Sequence, residues 1–295
     1  MFWKGRVSTV SQIMSYLQGH EITLANDLIK ATANPIKNKV CSVRPASVKD
    51  SEGIAKLLNE WFEPRHTRSK VAVTSEWVRR SFLEDHALWI VAKDLRGTVR
   101  GCVSSFRIGS PYPSTIGSNT CGQSSMREWG LIDWYCVHPL WREKGVGSDL
   151  LSIMDYITYT IRRRAHVFLK EGMPLLQLPI YSTFLKVRRA GNSNVKHMRE
   201  GTGLIVFPYQ CNDSITGLPL IRVEGLRNLT GADKERHVKE WEDALDAELP
   251  PCFVFVSSAD QVLERGWKQD SLVSVYAFRW NAGKWLWSAP SSEII

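Results

Sequence analysis

The stretch Val137-His138-Pro139-Leu140-Trp141-Arg142-Glu143-Lys144-Gly145-Val146-Gly147 decides the fold. It follows an apolar strand-like run, Gly130-Leu131-Ile132-Asp133-Trp134-Tyr135-Cys136. It opens a helix whose Val146, Leu150, Ile153, Met154, Ile157 and Ile161 share one face at helical spacing. A strand, a basic glycine-containing turn and a helix start together form a cradle for an anionic phosphate. Backbone N–H groups point out of the helix start, which also carries partial positive charge. Gly145 and Gly147 let a ligand approach the backbone, and Arg142 and Lys144 add charge. Two other glycine-rich motifs fit poorly. A P-loop needs Lys-Ser/Thr after its second glycine, where this chain has Val146-Gly147-Ser148. A dinucleotide loop needs a third glycine and an acidic residue after a following strand.

The pattern V-x-P-x-x-R-x-x-G-x-G resembles the acyl-CoA pyrophosphate loop of the GNAT superfamily of N-acetyltransferases. The segments before it keep the order of that family. Cys41–Ala46 reads as a strand closed by Val-Arg-Pro-Ala, and Asp50-Ser51-Glu52 opens a helix with Ile54, Leu57, Leu58 and Trp61 on one face. A short helix over 75–84 is capped by Thr74 or Ser75. Leu88–Ala92 and Val99–Val103 flank a turn and read as a hairpin, the second and third strands. Residues 63–74 read as a basic loop, and 109–126 as a long Ser/Gly/Pro-rich loop. Ala165–Leu169 reads as the fifth strand. The resemblance spans residues 41–170.

The resemblance implies an α/β (α+β) acyl-CoA N-acyltransferase fold. Its mixed, mostly antiparallel sheet splays at the fourth and fifth strands, is flanked by helices and carries a C-terminal α+β extension. It implies an enzyme that transfers acetyl from acetyl-CoA, or another acyl-CoA, to a primary amine by direct attack, with no metal. The thioester carbonyl would lie near Cys136 and Val137. The pyrophosphate would lie on the amides of Arg142, Glu143, Lys144, Gly145, Val146 and Gly147, with Ser148 close. Asp133 is the candidate general base and Glu128 the second choice. Tyr181 is the candidate acid for the leaving thiolate, although the usual Tyr-x-x-x-Gly-Phe pattern is absent. Cys136 has no His-Asp set to make it a nucleophile and reads as a buried strand cysteine. His138 reads as a polar turn residue.

The rest of the chain bounds these expectations. Its 295 residues make one large or two small domains, and a net charge of +8 suits a phosphate-bearing ligand. Twelve tryptophans read as core packing. Six cysteines without a C-x-x-C pair point to a reducing, cytoplasmic setting. No signal peptide or membrane-length apolar run is read, nor a metal cluster. Basic clusters at 162–164 and 186–189 carry no binding motif, so nucleic-acid binding is not expected. The partner is an amine, small molecule or protein.

Residues 1–40 are expected to form a helical appendage, with Val10, Ile13, Met14 and Leu17 on one face. Residues 41–190 would form the acyltransferase domain, and 191–295 an α+β extension or degenerate second half. In the latter, 231–249 reads as a charged helix stopped by Pro250-Pro251. Tyr181–Val187, Phe253–Val256, Leu272–Trp280 and Lys284–Ser288 read as strands, the last two a hairpin around Asn281-Ala282-Gly283. From Cys136 to Asn192 the order also resembles N-myristoyltransferases, two fused GNAT-like halves, which would make the acyl chain long and the acceptor a protein. A third reading is a GNAT-fold binding module without turnover.

Overall fold

The computed structural model describes residues 23–24, 41–63, 69–83, 87–108, 129–160, 165–171, 181–191, 205–224, 239, 242–247, 249–258, 266–278 and 280–281. The expected helix within 7–40, the loop 109–126, Glu128, the cluster 162–164 and the strand Lys284–Ser288 lie outside these residues. The chain divides into two units. The first holds Met1–Glu63, Val73–Tyr181 and Ser274–Ser288; the second holds Pro64–Ala72, Ser182–Val273 and Ala289–Ile295.

The first unit carries β1 (Ser42–Pro45), α1 (Ser51–Trp61), α2 (Ser75–Leu83), β2 (Leu88–Lys93), β3 (Val99–Ile108), β4 (Trp129–Val137), α3 (Val146–Thr160) and β5 (Ala165–Glu171). The strands lie in the order β1-β2-β3-β4-β5. Pairing is antiparallel from β1 to β4. The β4–β5 pair is parallel, because α3 carries the chain back across the sheet. β2 is buried along almost its whole length, as a strand covered on both faces must be. One face packs on α3 through Val146, Leu150, Leu151, Ile153 and Met154, against Ile90, Val103, Ile132 and Phe168. The expected apolar face of α3 is therefore the buried one.

The other face carries aromatic residues. Trp77 of α2 approaches Trp89, Phe106 and Trp134, with ring centroids 6.3, 6.1 and 5.4 Å apart. Buried Trp89 donates its indole N–H to Ser81 Oγ at 2.8 Å, which satisfies its polar end. The described tryptophans here are core. α2 begins at the expected cap, since Thr74 Oγ1 accepts the Trp77 N–H at 3.1 Å. The β2–β3 hairpin closes on Asp94, whose Oδ1 accepts the Arg96 and Thr98 N–H groups, with Gly97 at φ 77°. Before α1, Asp50 is buried. Burial alone would raise its pKa, but Lys93, the Ser47 N–H and Arg44 outweigh it and hold the carboxyl below its ordinary value.

The second unit holds β6 (Tyr181–Ala190), β7 (Ile205–Asp213), β8 (Pro219–Glu224) and β9 (Cys252–Ser258). The order is β6-β9-β8-β7, followed by a three-residue edge strand, Ser69–Val71. β8 and β9 pair in parallel and the other pairs are antiparallel. Residues 242–247 form a helix between β8 and β9. Among the described pairs each unit thus contains a parallel β-α-β crossover. The chain's β10 (Lys268–Phe278) has residues in both units.

One sequence expectation changes here. Residues 63–74 are not wholly loop, because Lys70 and Val71 pair with Asn212 and Cys211 at a sheet edge. A three-residue strand is too short to show a period in sequence. The stretch after 190 contains the hairpin β7–β8, which carries few clean alternations. Its turn is built by Asp213, whose Oδ2 accepts from the Thr216 N–H and hydroxyl, and by Gly217 at φ 70°.

Candidate functional site

The site is built where β4 ends. Trp129 to Ile132 pair in parallel with Ala165 to Phe168, and the described ladder stops there. Beyond Ile132, β4 and β5 part. The β3–β4 register slips at the same place. Cys102 faces Cys136 but Ser104 faces Asp133, so two steps on β3 span three on β4. The extra residue is a β-bulge, and Trp134 stands at φ 48°, the left-handed region.

Side chains hold the bulge. Asp133 Oδ1 accepts the Trp134 N–H at 2.7 Å. Ser104 Oγ donates to the Asp133 carbonyl at 2.9 Å, and Cys102 Sγ to the Trp134 carbonyl at 3.4 Å. The Trp134 ring is fixed against Phe62 at 5.2 Å and Trp77 at 5.4 Å. A bulky side chain in the left-handed region costs on the order of 1–2 kcal/mol. These bonds and ring contacts offset that strain.

Past the bulge, Cys136 and Val137 lead into the turn. His138 Nδ1 accepts the Leu140 N–H at 3.2 Å and caps the 3-10 turn Pro139–Trp141. Its ring lies 4.8 Å from Trp61. Burial, then nearby Arg100, lowers the His138 pKa, so the ring stays neutral at pH 7. Arg142 Nε returns to the Val137 carbonyl at 3.0 Å and closes the turn. Glu143 and Gly145 take φ 62° and 81°. Asp149 N–H bonds the Gly145 carbonyl, so Gly145 is the residue before the first helical turn. The Val146 and Gly147 amides then head α3, where helix geometry offers them no intrahelical acceptor. Lys144 Nζ lies 5.4 Å from the Trp141 ring centroid, beside this helix start. Arg142, Glu143, Lys144 and Ser148 are exposed. Exposed cations and outward amides at one helix start suit a pyrophosphate, so the donor set fits.

The sequence-derived residues fall as follows. Cys136, Val137 and 142–148 lie on one path from the bulge to the helix start. Asp133 lies on the same strand, three residues before Cys136. Burial pushes the Cys136 thiol up to about 12, despite Arg142 acting the other way, so it is a poor nucleophile. Tyr181 begins β6, and its side chain lies outside the described residues. The described cysteines Cys41, Cys102, Cys136, Cys211 and Cys252 are free and buried. Arg188 of the basic cluster 186–189 is buried in the second unit. It bonds the Glu242 carbonyl at 3.1 Å and Asp246 at 3.0 Å, and stacks on Trp267. Arg188 is thus a packing residue.

Sequence reasoning missed the bulge at Trp134 and the polar pair Ser105–His166 behind it. An aromatic residue at positive φ leaves no trace in composition. Ser105 and His166 stand 61 residues apart, so only the sheet reveals them as neighbours.

Among the described residues no group of three His, Cys, Asp or Glu could hold a metal ion. No helix among them is long and apolar enough to cross a membrane. No protein-family model matches the sequence, and no curated protein matches it. The structure is similar to that of Saccharomyces cerevisiae N-myristoyltransferase with bound myristoyl-CoA. The TM-score is 0.60 at 11% identity, over 90% of this chain and 85% of that one. A second structure of that protein with bound myristoyl-CoA gives 0.52 at 12% identity, over 84% and 85%. YhbS of Escherichia coli, a GNAT family N-acetyltransferase in complex with CoA, covers 46% of this chain and 65% of its own. It is 21% identical, with a TM-score of 0.32. The chain therefore has a fold like that of N-myristoyltransferase along most of its length.

Proposed function

We propose that this chain is an acyl-CoA-dependent N-acyltransferase in which an amine attacks the thioester carbonyl directly. One observation carries the reading: β4 parts from β5 at a left-handed bulge and leads, through a basic turn, to a helix start able to hold a pyrophosphate. The pyrophosphate lies on the Val146 and Gly147 amides, with Arg142, Lys144 and Ser148 around it. Glu143 and Gly145 set the turn. The thioester lies along the parted edge of β4 at Cys136 and Val137, where backbone groups face the carbonyl as charge develops. The amine nitrogen bonds to the carbonyl carbon, the C–S bond breaks, and the sulfur takes a proton.

Asp133 is the proposed acceptor of the ammonium proton. Its Oδ1 takes the Trp134 N–H, which fixes the carboxylate on β4 three residues before Cys136. Tyr181 is the proposed donor to the thiolate. Free, buried cysteines support a reducing, cytoplasmic setting.

Acetyl is the acyl group first expected from a loop with the glycines of an ordinary GNAT domain. The likeness to N-myristoyltransferase over 90% of the chain favours a second reading, a long acyl chain delivered to a protein amine. Calorimetric titration with acetyl-CoA, CoA and myristoyl-CoA separates them. Saturable binding of acetyl-CoA and CoA alike supports acetyl transfer, and a marked preference for myristoyl-CoA supports the second reading. Gly147→Glu tests the site itself. An acidic residue in the first turn favours the helix but repels a pyrophosphate. We expect unchanged folding by circular dichroism and at least a tenfold loss of CoA affinity; unchanged affinity would sink the assignment.

A further inference from the structure

On the sheet face covered by α3, three polar side chains are sealed inside the first unit. Ser105 and Thr158 are wholly buried, and His166 is 2% exposed. Ser105 Oγ lies 2.9 Å from His166 Nε2, and His166 Nδ1 lies 3.5 Å from Thr158 Oγ1. Thr158 Oγ1 also lies 2.7 Å from the Met154 carbonyl. A carbonyl cannot donate, so the Thr158 hydroxyl proton points at Met154. The Thr158 oxygen then meets Nδ1 as an acceptor, which places the ring proton on Nδ1. Nε2 meets the Ser105 hydroxyl on the other side of the ring. The three side chains thus link β3 through β5 to α3.

Its position is what matters. Ser105 pairs with Ile132, and His166 pairs with Gly130. The Ser105–His166 bond therefore passes diagonally over β4 at a residue without a side chain. It ties β5 to β3 within the four ladder pairs that hold β4 and β5 together, just before they part. On its other side β5 is fixed by Phe168 stacking on Tyr276 at 5.3 Å. Thr158 extends the tie to α3, whose start is the proposed pyrophosphate site. A rigid helix of twelve steps separates Thr158 from Val146, a lever of about 18 Å. An apolar trio would fill the same space, but only a directional chain fixes how far α3 slides along β5.

We propose that Ser105, His166 and Thr158 are positioning residues that set where β4 and β5 part and how far the α3 start stands from that cleft, and so determine acyl-CoA affinity. The cleft's ligand rests on the acyltransferase reading; the geometry of the parting does not. The test joins CoA titration with amide hydrogen exchange on the full chain. Ser105→Ala is expected to raise the CoA Kd at least fivefold. It also speeds exchange in peptides covering 133–137 and 165–171, and leaves 88–93 as in the wild type. Thr158→Val, an isostere without the hydroxyl, does the same, and Thr158→Ser restores both readouts. Exchange that stays at the wild-type rate in 133–137 and 165–171, or that rises equally in 88–93, overturns the proposal, because the trio then only fills the core. A wild-type chain that binds no CoA or acyl-CoA removes the acyltransferase reading and the affinity clause with it, while local exchange still decides whether the trio sets the parting of the strands.

Discussion

At Trp134 a single backbone angle shapes the site. The left-handed bulge begins where the β4–β5 pairing ends, and three neighbouring side chains hold it there. Replacing Trp134 removes its ring contacts in any case, and the replacement chosen then reports the backbone. Within an ordinary strand a glycine variant is less stable than an alanine variant. Here glycine relieves the left-handed strain, so Trp134→Gly should be more stable than Trp134→Ala by about 1 kcal/mol. Urea midpoints of the two variants decide it. The reverse order would mean that the bulge is not under strain. The sequence makes Asp133 the candidate base by its place on the fourth strand. Its bond to the Trp134 N–H could not be read there, because nothing in the residue order predicts a bulge.

At the level of elements, α3 is the part most legible in the sequence. Its apolar spacing, its glycine-containing start and its place after an apolar run all agree, and the structure buries Val146, Leu150, Ile153 and Met154 and partly buries Ile157, while Ile161 lies outside the described residues. How closely it lies on the sheet was not legible. Gly101 of β3 sits beneath it, and a Cβ there would come within 2.9 Å of Leu150 Cδ1 and 3.4 Å of Val146 Cγ1. The nearer atom is the end of a flexible side chain, so Gly101→Ala should cost only about 1 kcal/mol. The displaced residues nevertheless belong to the first two turns of α3. Calorimetry should show CoA affinity several-fold weaker. Wild-type affinity in a variant with a lowered urea midpoint would separate helix packing from the anion site.

Over the whole molecule the chain makes two units, and among the described pairs each has a parallel crossover beside antiparallel ones. Gly191, after β6, is a sensitive position in the second. It has φ 92°, and a Cβ would lie 2.2 Å from the Pro250 carbonyl oxygen. Backbone cannot swing aside as a side-chain end can. Gly191→Ala should therefore destabilise the second unit by about 2 kcal/mol or more. Hydrogen exchange should accelerate in peptides covering 205–224 and 252–258 and stay unchanged in 99–108. Equal acceleration in both units would mean that they unfold as one.

By itself the sequence determined the helices and the longer strands from 41 to 170, the basic glycine-containing turn and the resemblance that names the fold. These rest on local periodicity, glycine position and charge, which the residue order carries directly. Tertiary structure alone decided where β4 leaves β5, that Trp134 bulges, and that Ser105 meets His166 across an intervening strand. It also decided that Ser69–Val71 joins a sheet edge and that Arg188 is buried against Glu242, Asp246 and Trp267. Each of these depends on strand register or on contacts between residues far apart in the chain, and no local pattern encodes either one.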